Sequence, residues 1–184
     1  MPLGENSTPL LGKKIAVLAE NLYQEMELWY PVYRFREAGA EVQIIGSGTS
    51  KTFTSKHGYP VTVDASVDEV RAEDFDAVII PGGYAPDLMR RRPSMVNLVR
   101  RAHEEGKIVA AICHAGWMLC SAGVLSGKTA TCFFSIKDDL IHAGAHYVDE
   151  EVVVDGNLIT SRFPDDLPAF CREVIRALVP VAAG

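Results

Sequence analysis

The sequence predicts an α/β sandwich, a mainly parallel sheet with helices on both faces. Three observations predict it. Short, solidly apolar runs recur along the chain, as in Lys14 to Ala19, Asp76 to Ile80 and Ile108 to Ile112. A solid run, rather than apolar and polar residues in alternation, is what a strand covered on both faces requires. Between these runs lie longer segments with helical spacing, and strands alternating with helices pair in parallel through right-handed crossovers.

Each element follows in order. Residues 1–12, with Pro2, Gly4 and Pro9 among polar neighbours, read as a flexible tail, and residues 13–184 as a single domain. Lys14 to Ala19 is the first strand, followed by a polar loop from Glu20 to Glu25. Glu27 to Ala38 is a helix with Leu28, Pro31, Val32 and Phe35 on one face, and Pro31 falls near its first turn, where proline is tolerated. Gly39 ends it, and Glu41 to Ile45 is the second strand. Gly46 to Pro60 is turn-rich, Val61 to Asp64 is a short strand, and Val67 to Phe75 is a connecting helical turn. The strand Asp76 to Ile80 runs into Pro81-Gly82-Gly83. Two glycines there allow a ligand close to the backbone, or make a plain turn.

Leu88 to Glu105 reads as one helix, with Arg90, Arg91 and Arg92 on a solvated face or a subunit contact. After Ile108 to Ile112 the chain turns at Cys113-His114 and enters a helix closed by Gly123. Lys128 to Phe133 is a strand, Ile136 to Ala143 a helix closed by Gly144, and Val148 to Val154 with Leu158 to Ser161 a hairpin around Asp155-Gly156-Asn157. The last helix is Asp165 to Leu178.

Whole-chain quantities exclude several classes of function. The 184 residues are 48% hydrophobic and 23% charged, ordinary values for a globular domain. A formal net charge of -6 argues against nucleic acid and anionic membrane surfaces as partners. No apolar run reaches the length of a membrane span, and the N-terminus lacks the pattern of a signal peptide. The four cysteines, 113, 120, 132 and 171, lack the spacing of a zinc site, so no metal is expected. A cytoplasmic location follows, where disulfides are rare. Cys120 and Cys171 read as core residues, with Cys132 undecided.

In a sheet of this kind ligands bind beyond the carboxyl ends of the strands. Three loops share that edge: Glu20 to Glu27, Gly82 to Asp87, and Cys113-His114. Cys113 sits where a strand turns sharply into a helix, the geometry of a nucleophile elbow. The positive end of that helix favours a thiolate. The same position also suits a core cysteine. Glu27 is either an acid beside the thiol or a helix N-terminal glutamate stabilised by the dipole. The amides of Gly83 and His114 suit an oxyanion. His114 is a base or contributes only its amide, and Asp87 orients His114, within the subunit or across an interface, or is an ordinary loop acid.

These residues resemble the PfpI family, the intracellular-protease-like branch of a superfamily that includes the parkinsonism-associated deglycase and the class I glutamine amidotransferases. The matching stretches are Met26-Glu27-Leu28 with Pro31, Lys56-His57-Gly58, Ile80-Pro81-Gly82-Gly83, Ala110-Ala111-Ile112-Cys113-His114, Ser121-Ala122-Gly123-Val124-Leu125, Ile136-Lys137-Asp138-Asp139, and Glu151 to Asn157. The resemblance implies a flavodoxin-like three-layer sandwich. It implies a Cys113 nucleophile hydrogen-bonded to Glu27, an oxyanion site at Gly83 and His114, and a homodimer or higher homo-oligomer. In the protease-like branch a neighbouring subunit's acid completes a Cys-His-acid triad, at Asp87 here. Some positions depart from that pattern. Ala115-Gly116 replaces Gly-Pro, Phe133 replaces a tyrosine, Asp87 is one methylene shorter than glutamate, and Gln24 stands where some relatives carry an acid. These changes weaken the triad more than the thiol site.

Three functions share the same sulfur. The first is a stress-protective, cofactor-free enzyme acting on reactive carbonyls, of glyoxalase or deglycase type, with a small carbonyl or a glycated protein as substrate. The second is a cysteine peptidase using Cys113, His114 and Asp87 on peptides. The third is a redox-sensing or chaperone-like stress protein whose thiolate oxidises to sulfinate. An acid from Glu27 alone beside the sulfur favours carbonyl or redox chemistry, and a His114 ring paired with Asp87 favours acyl transfer.

Overall fold

A computed structural model describes residues 8–179. In chain order the elements are β1 (Lys14–Ala19), α1 (Glu25–Glu37), β2 (Glu41–Gly46), β3 (Thr52–Thr54), β4 (Pro60–Thr62), β5 (Ala65–Ser66), β6 (Ala77–Ile80), α2 (Ala85–Met89), α3 (Pro93–Glu104), β7 (Ile108–Ile112) and α4 (Gly116–Ala122). They continue with β8 (Thr129–Ala130), α5 (Lys137–His142), β9 (His146–Tyr147), β10 (Val152–Asp155), β11 (Leu158–Ser161) and α6 (Leu167–Leu178).

Seven strands form one sheet in the order β10-β11-β7-β6-β1-β2-β5, parallel except for the β10–β11 hairpin. The predicted sandwich is therefore present, flavodoxin-like, with that hairpin at one edge. Its central strands are buried throughout from Ile15 to Ala19 and from Ala77 to Ile80, which is why they read as solid apolar runs. From β1 the chain crosses by α1 to β2 on one side. From β6 it crosses by α3 to β7 on the other. Right-handed crossovers in opposite directions place α1 and α3 on opposite faces. α1 packs with α6, and α3 packs with α4. The reversal between β1 and β6 opens a crevice at their carboxyl ends, the natural ligand position in such a sheet. The register Val17↔Ile79 and Ile79↔Ala110 brings the loops after β1, β6 and β7 to that edge at one level.

Several elements depart from the sequence reading. Leu88 to Glu105 is not one helix: α2 ends at Met89, and α3 starts at Pro93, with Arg92 extended at φ -105 and ψ 109. Proline has no N–H for an interior turn and pushes the preceding residue out of the helical region. Arg90 turns inward, donating to the Ser121 hydroxyl at 2.9 Å, rather than joining a solvated face. α1 begins at Glu25, so Pro31 lies in its second turn, and the Gln24 side chain caps it by accepting from the Met26 and Glu27 amides. The turn-rich segment after Gly46 contains β3, which pairs with β4. The short strand expected at Val61 to Asp64 is β4, which ends at Thr62, and β5 follows at Ala65, beyond the expected range. Lys128 to Phe133 contributes only β8, which pairs with β9 outside the central sheet. Of the expected tail, residues 1–7 lie outside the described residues, while Leu10 is fully buried and its amide donates to the Ala38 carbonyl. Among the described residues no helix is long and apolar enough to cross a membrane.

Phe170 on α6 is fully buried against the sheet. Phe170→Ala is expected to cost about 3–5 kcal/mol, read as a lower urea midpoint at unchanged slope.

Candidate functional site

Cys113 follows directly on β7. Its backbone lies at φ 63, one of two positive values among the described non-glycine residues; the other is Leu22, across the crevice. A side chain in that region costs about 1–2 kcal/mol, and such strain collects at working sites. The turn lifts the sulfur out of the sheet toward the loops after β1 and β6. Those loops are joined: Gln24 N–H donates to the Gly82 carbonyl at 3.2 Å, Tyr84 N–H donates to the Leu22 carbonyl at 2.9 Å, and Tyr23 bridges Gly83. Gly82 is required by close approach. A Cβ there would stand 2.5 Å from Glu27 Oε2 and 2.7 Å from Cys113 Cβ.

Glu27 is fully buried, and its Oε2 accepts from the Gly82 amide at 2.7 Å. Its Oε1 is buried without a hydrogen-bond partner, and the Cys113 side chain stands beside the carboxyl. Burial raises the carboxyl to about 7, against the Gly82 amide, the Cys113 thiol and the Lys56 charge, which lower it. Burial also pushes the Cys113 thiol up to about 12, with the Glu27 charge adding to the rise, while the His114 and Gly83 amides oppose it. The helix end favours an acidic thiol, and burial works against it. Desolvation and the Glu27 charge outweigh the two amides, and the sulfur and carboxyl compete for protons.

The His114 ring also reaches the sulfur, with Nδ1 3.3 Å from Sγ and Nε2 3.2 Å from the Ser135 hydroxyl. It stacks on Phe133 and meets Trp117 edge-on. Burial first, and then the Lys56 charge, lower its pKa, which disfavours the charged ring. Asp87 is elsewhere, on α2, paired with Arg91. Within one chain the structure therefore brings Cys113, His114, Glu27 and Gly83 together and leaves Asp87 out.

A cavity of about 430 Å³ opens over the sulfur, lined by these four residues with Leu22, Gln24, Lys56, Tyr84, Trp117, Phe133, Phe163 and Pro164. Sequence reasoning missed Lys56, Ser135 and the Phe163-Pro164 wall as site residues. Lys56 arrives on the β3–β4 hairpin and Ser135 on a turn before α5. Only the packing of those elements brings them here, though Lys56-His57-Gly58 was visible as a motif. Cys132 and Cys171 are buried, and Cys120 is partly exposed. Among the described residues no three His, Cys, Asp or Glu side chains are grouped to hold a metal ion.

A parallel sheet with a buried acid beside a cysteine on a strained strand-to-helix turn defines a class of cysteine-centred α/β proteins. Residues 13–177 match the DJ-1/PfpI family, and the chain belongs to that family. It is 47% identical to "Deglycase PH1704" of Pyrococcus horikoshii, over 90% of this chain and 99% of that protein. It is 44% identical to "Putative cysteine protease YraA" of Bacillus subtilis, over 91% and 99%. The crystal structure of Drosophila melanogaster DJ-1beta superposes with a TM-score of 0.86 at 32% identity, covering 92% of this chain and 91% of that one.

Glu27 makes stability depend on pH. Its folded-state pKa, about 7, lies above the ordinary value of 4.5, so folding favours the protonated form. The contribution is complete below 4.5 and lost as pH rises through 7. Glu27→Gln is therefore expected to gain on the wild type across that window, by on the order of 3 kcal/mol, measured by urea denaturation at pH 4.5 and 8.

Proposed function

We propose that this protein is a cofactor-free enzyme acting on reactive carbonyls, removing 2-oxoaldehydes such as methylglyoxal or their adducts on protein side chains as hydroxy acids. The observation that carries the reading is the Glu27 carboxyl, raised to about 7, beside the Cys113 thiol. A base with that pKa is matched to accept a proton near neutral pH. The name and 47% identity of the Pyrococcus horikoshii protein support the same reading.

The first step forms the bond from Cys113 Sγ to the aldehyde carbon. The thiol proton passes to Glu27, and the new oxyanion faces the Gly83 and His114 amides. Glu27 then returns a proton to the oxyanion, giving a hemithioacetal. The hydrogen on the former aldehyde carbon moves to the neighbouring carbonyl carbon by proton transfers through Glu27. This leaves a 2-hydroxy thioester, an internal oxidation and reduction that needs no outside oxidant. Water cleaves the C–S bond, and the sum is methylglyoxal plus water to lactic acid. From a glycated amine the same sum also frees the amine. His114, held between Sγ and Ser135, orients the thiol and needs no acid partner. The exposed Met26, Tyr30, Tyr33 and Tyr59 side chains support assembly as a homodimer or larger homo-oligomer.

The His114–Sγ contact also favours a second reading, a peptidase with a Cys-His pair. The two are separable by substitution. Cys113→Ala is expected to abolish methylglyoxal turnover, with kcat/KM in the wild type rising through about pH 7 as Glu27 ionises. Glu27→Gln is expected to lower that rate by about 10²–10⁴-fold, and Asp87→Asn to change it less than about twofold. Turnover that survives Cys113→Ala, or collapses in Asp87→Asn, contradicts the carbonyl reading.

A further inference from the structure

Lys56 is the one cationic side chain lining the cavity over Cys113, and Glu27 is its one acid. Lys13, Lys14 and Lys128 are paired with acids, whereas the exposed Lys56, like Lys51, Lys107 and Lys137, forms no ion pair among the described residues, and of these four it alone lines the cavity. The turn that carries it is fixed on both sides. Lys56 N–H donates to the Tyr23 carbonyl at 3.0 Å, beside the loop that starts α1. Its neighbours Ser55 and His57 are held by Glu25, with His57 Nδ1 3.0 Å from Oε1. Burial raises Glu25, but hydrogen bonds from Ser55, its own backbone and His57 outweigh this and bring it down to about 2, so the clamp is charged at neutral pH. Most of the remaining wall is apolar or aromatic.

We infer that Lys56 is a specificity-determining residue that anchors a carboxylate on the substrate, so that the preferred carbonyl compounds carry a carboxylate near the reacting carbon. An unpaired ammonium at the mouth of a largely apolar cavity attracts an anion more strongly than it would in open water. A carboxylate fits better than a phosphate: one cation balances one charge, and a dianion would leave its second charge facing Glu27. Lys56 lowers the pKa of both Glu27 and His114, which places its charge within reach of the reacting centre. The inference rests on the proposed role of Cys113 as the nucleophile.

The test needs no turnover assay. The intact protein is treated in separate reactions with iodoacetate, which carries a carboxylate, and with iodoacetamide, its neutral counterpart, and Cys113 alkylation is followed by mass spectrometry. The ratio of the two rates is divided by the same ratio for free cysteine. Because both reagents need the same thiolate, the quotient cancels any effect of Lys56 on ionisation. A wild-type quotient of about 5–10 is expected, falling to about 1 in Lys56→Gln and largely kept in Lys56→Arg. Equal quotients in the wild type and Lys56→Gln overturn the inference while leaving the nucleophile reading intact. Failure of Cys113 to react with either reagent at about pH 9, where the small thiolate fraction of a thiol raised by burial still alkylates over a day, overturns both.

Discussion

The structure depends on a carboxyl group buried against a sulfur. Glu27 is held by one strong contact, the Gly82 amide, and its other oxygen is buried without a partner beside the Cys113 side chain. An ionised carboxylate in that position is expensive, and desolvation drives both groups toward their protonated forms. In the proposed mechanism the site holds a proton on either group, and substrate binding decides where it goes. A carbonyl carbon that bonds the sulfur removes the repulsion between the two charges, and the amides across the crevice then face the oxygen that becomes negative. In the proposed mechanism Glu27 takes the thiol proton as the substrate carbon bonds the sulfur.

The sheet topology makes this contact possible. Glu27 follows β1, Gly82 and Gly83 follow β6, and Cys113 follows β7, three strands adjacent in space and well separated in sequence. The crossovers diverge between β1 and β6, which leaves a crevice at their carboxyl ends. Hydrogen bonds between the first two loops fix the gap. Gly82 has no side chain because the acid and the cysteine already fill the space a Cβ would take. The left-handed backbone of Cys113 is the local cost of aiming the sulfur across it.

Much of this was legible in the sequence, for physical reasons. Strands buried on both faces must be solidly apolar, so β1, β6 and β7 declared themselves, and the carboxyl-edge rule placed Glu27, Gly83 and Cys113 together. Other features depended on energies that a linear pattern does not carry. The thiol was expected to be acidic because the helix end is visible in sequence, while the desolvation that works against it comes from residues packed in by the fold. Asp87 was read toward His114, yet within the chain Arg91, one helical turn on, takes it. The break at Pro93 was written in the chain but was passed over in favour of helical spacing. Lys56 was noticed as part of a motif and not as a cavity residue, because the β3–β4 hairpin that carries it pairs outside the central sheet.

The central claim is that Glu27 holds its proton to near neutral pH beside the sulfur. Its most direct test is a carboxyl-carbon NMR titration of the intact protein labelled at glutamate, with Glu27→Gln used to assign the resonance. The account predicts a midpoint of about 7 for Glu27. A midpoint near the ordinary value of 4.5 would contradict it, because the carboxyl would then be ionised and well solvated at neutral pH.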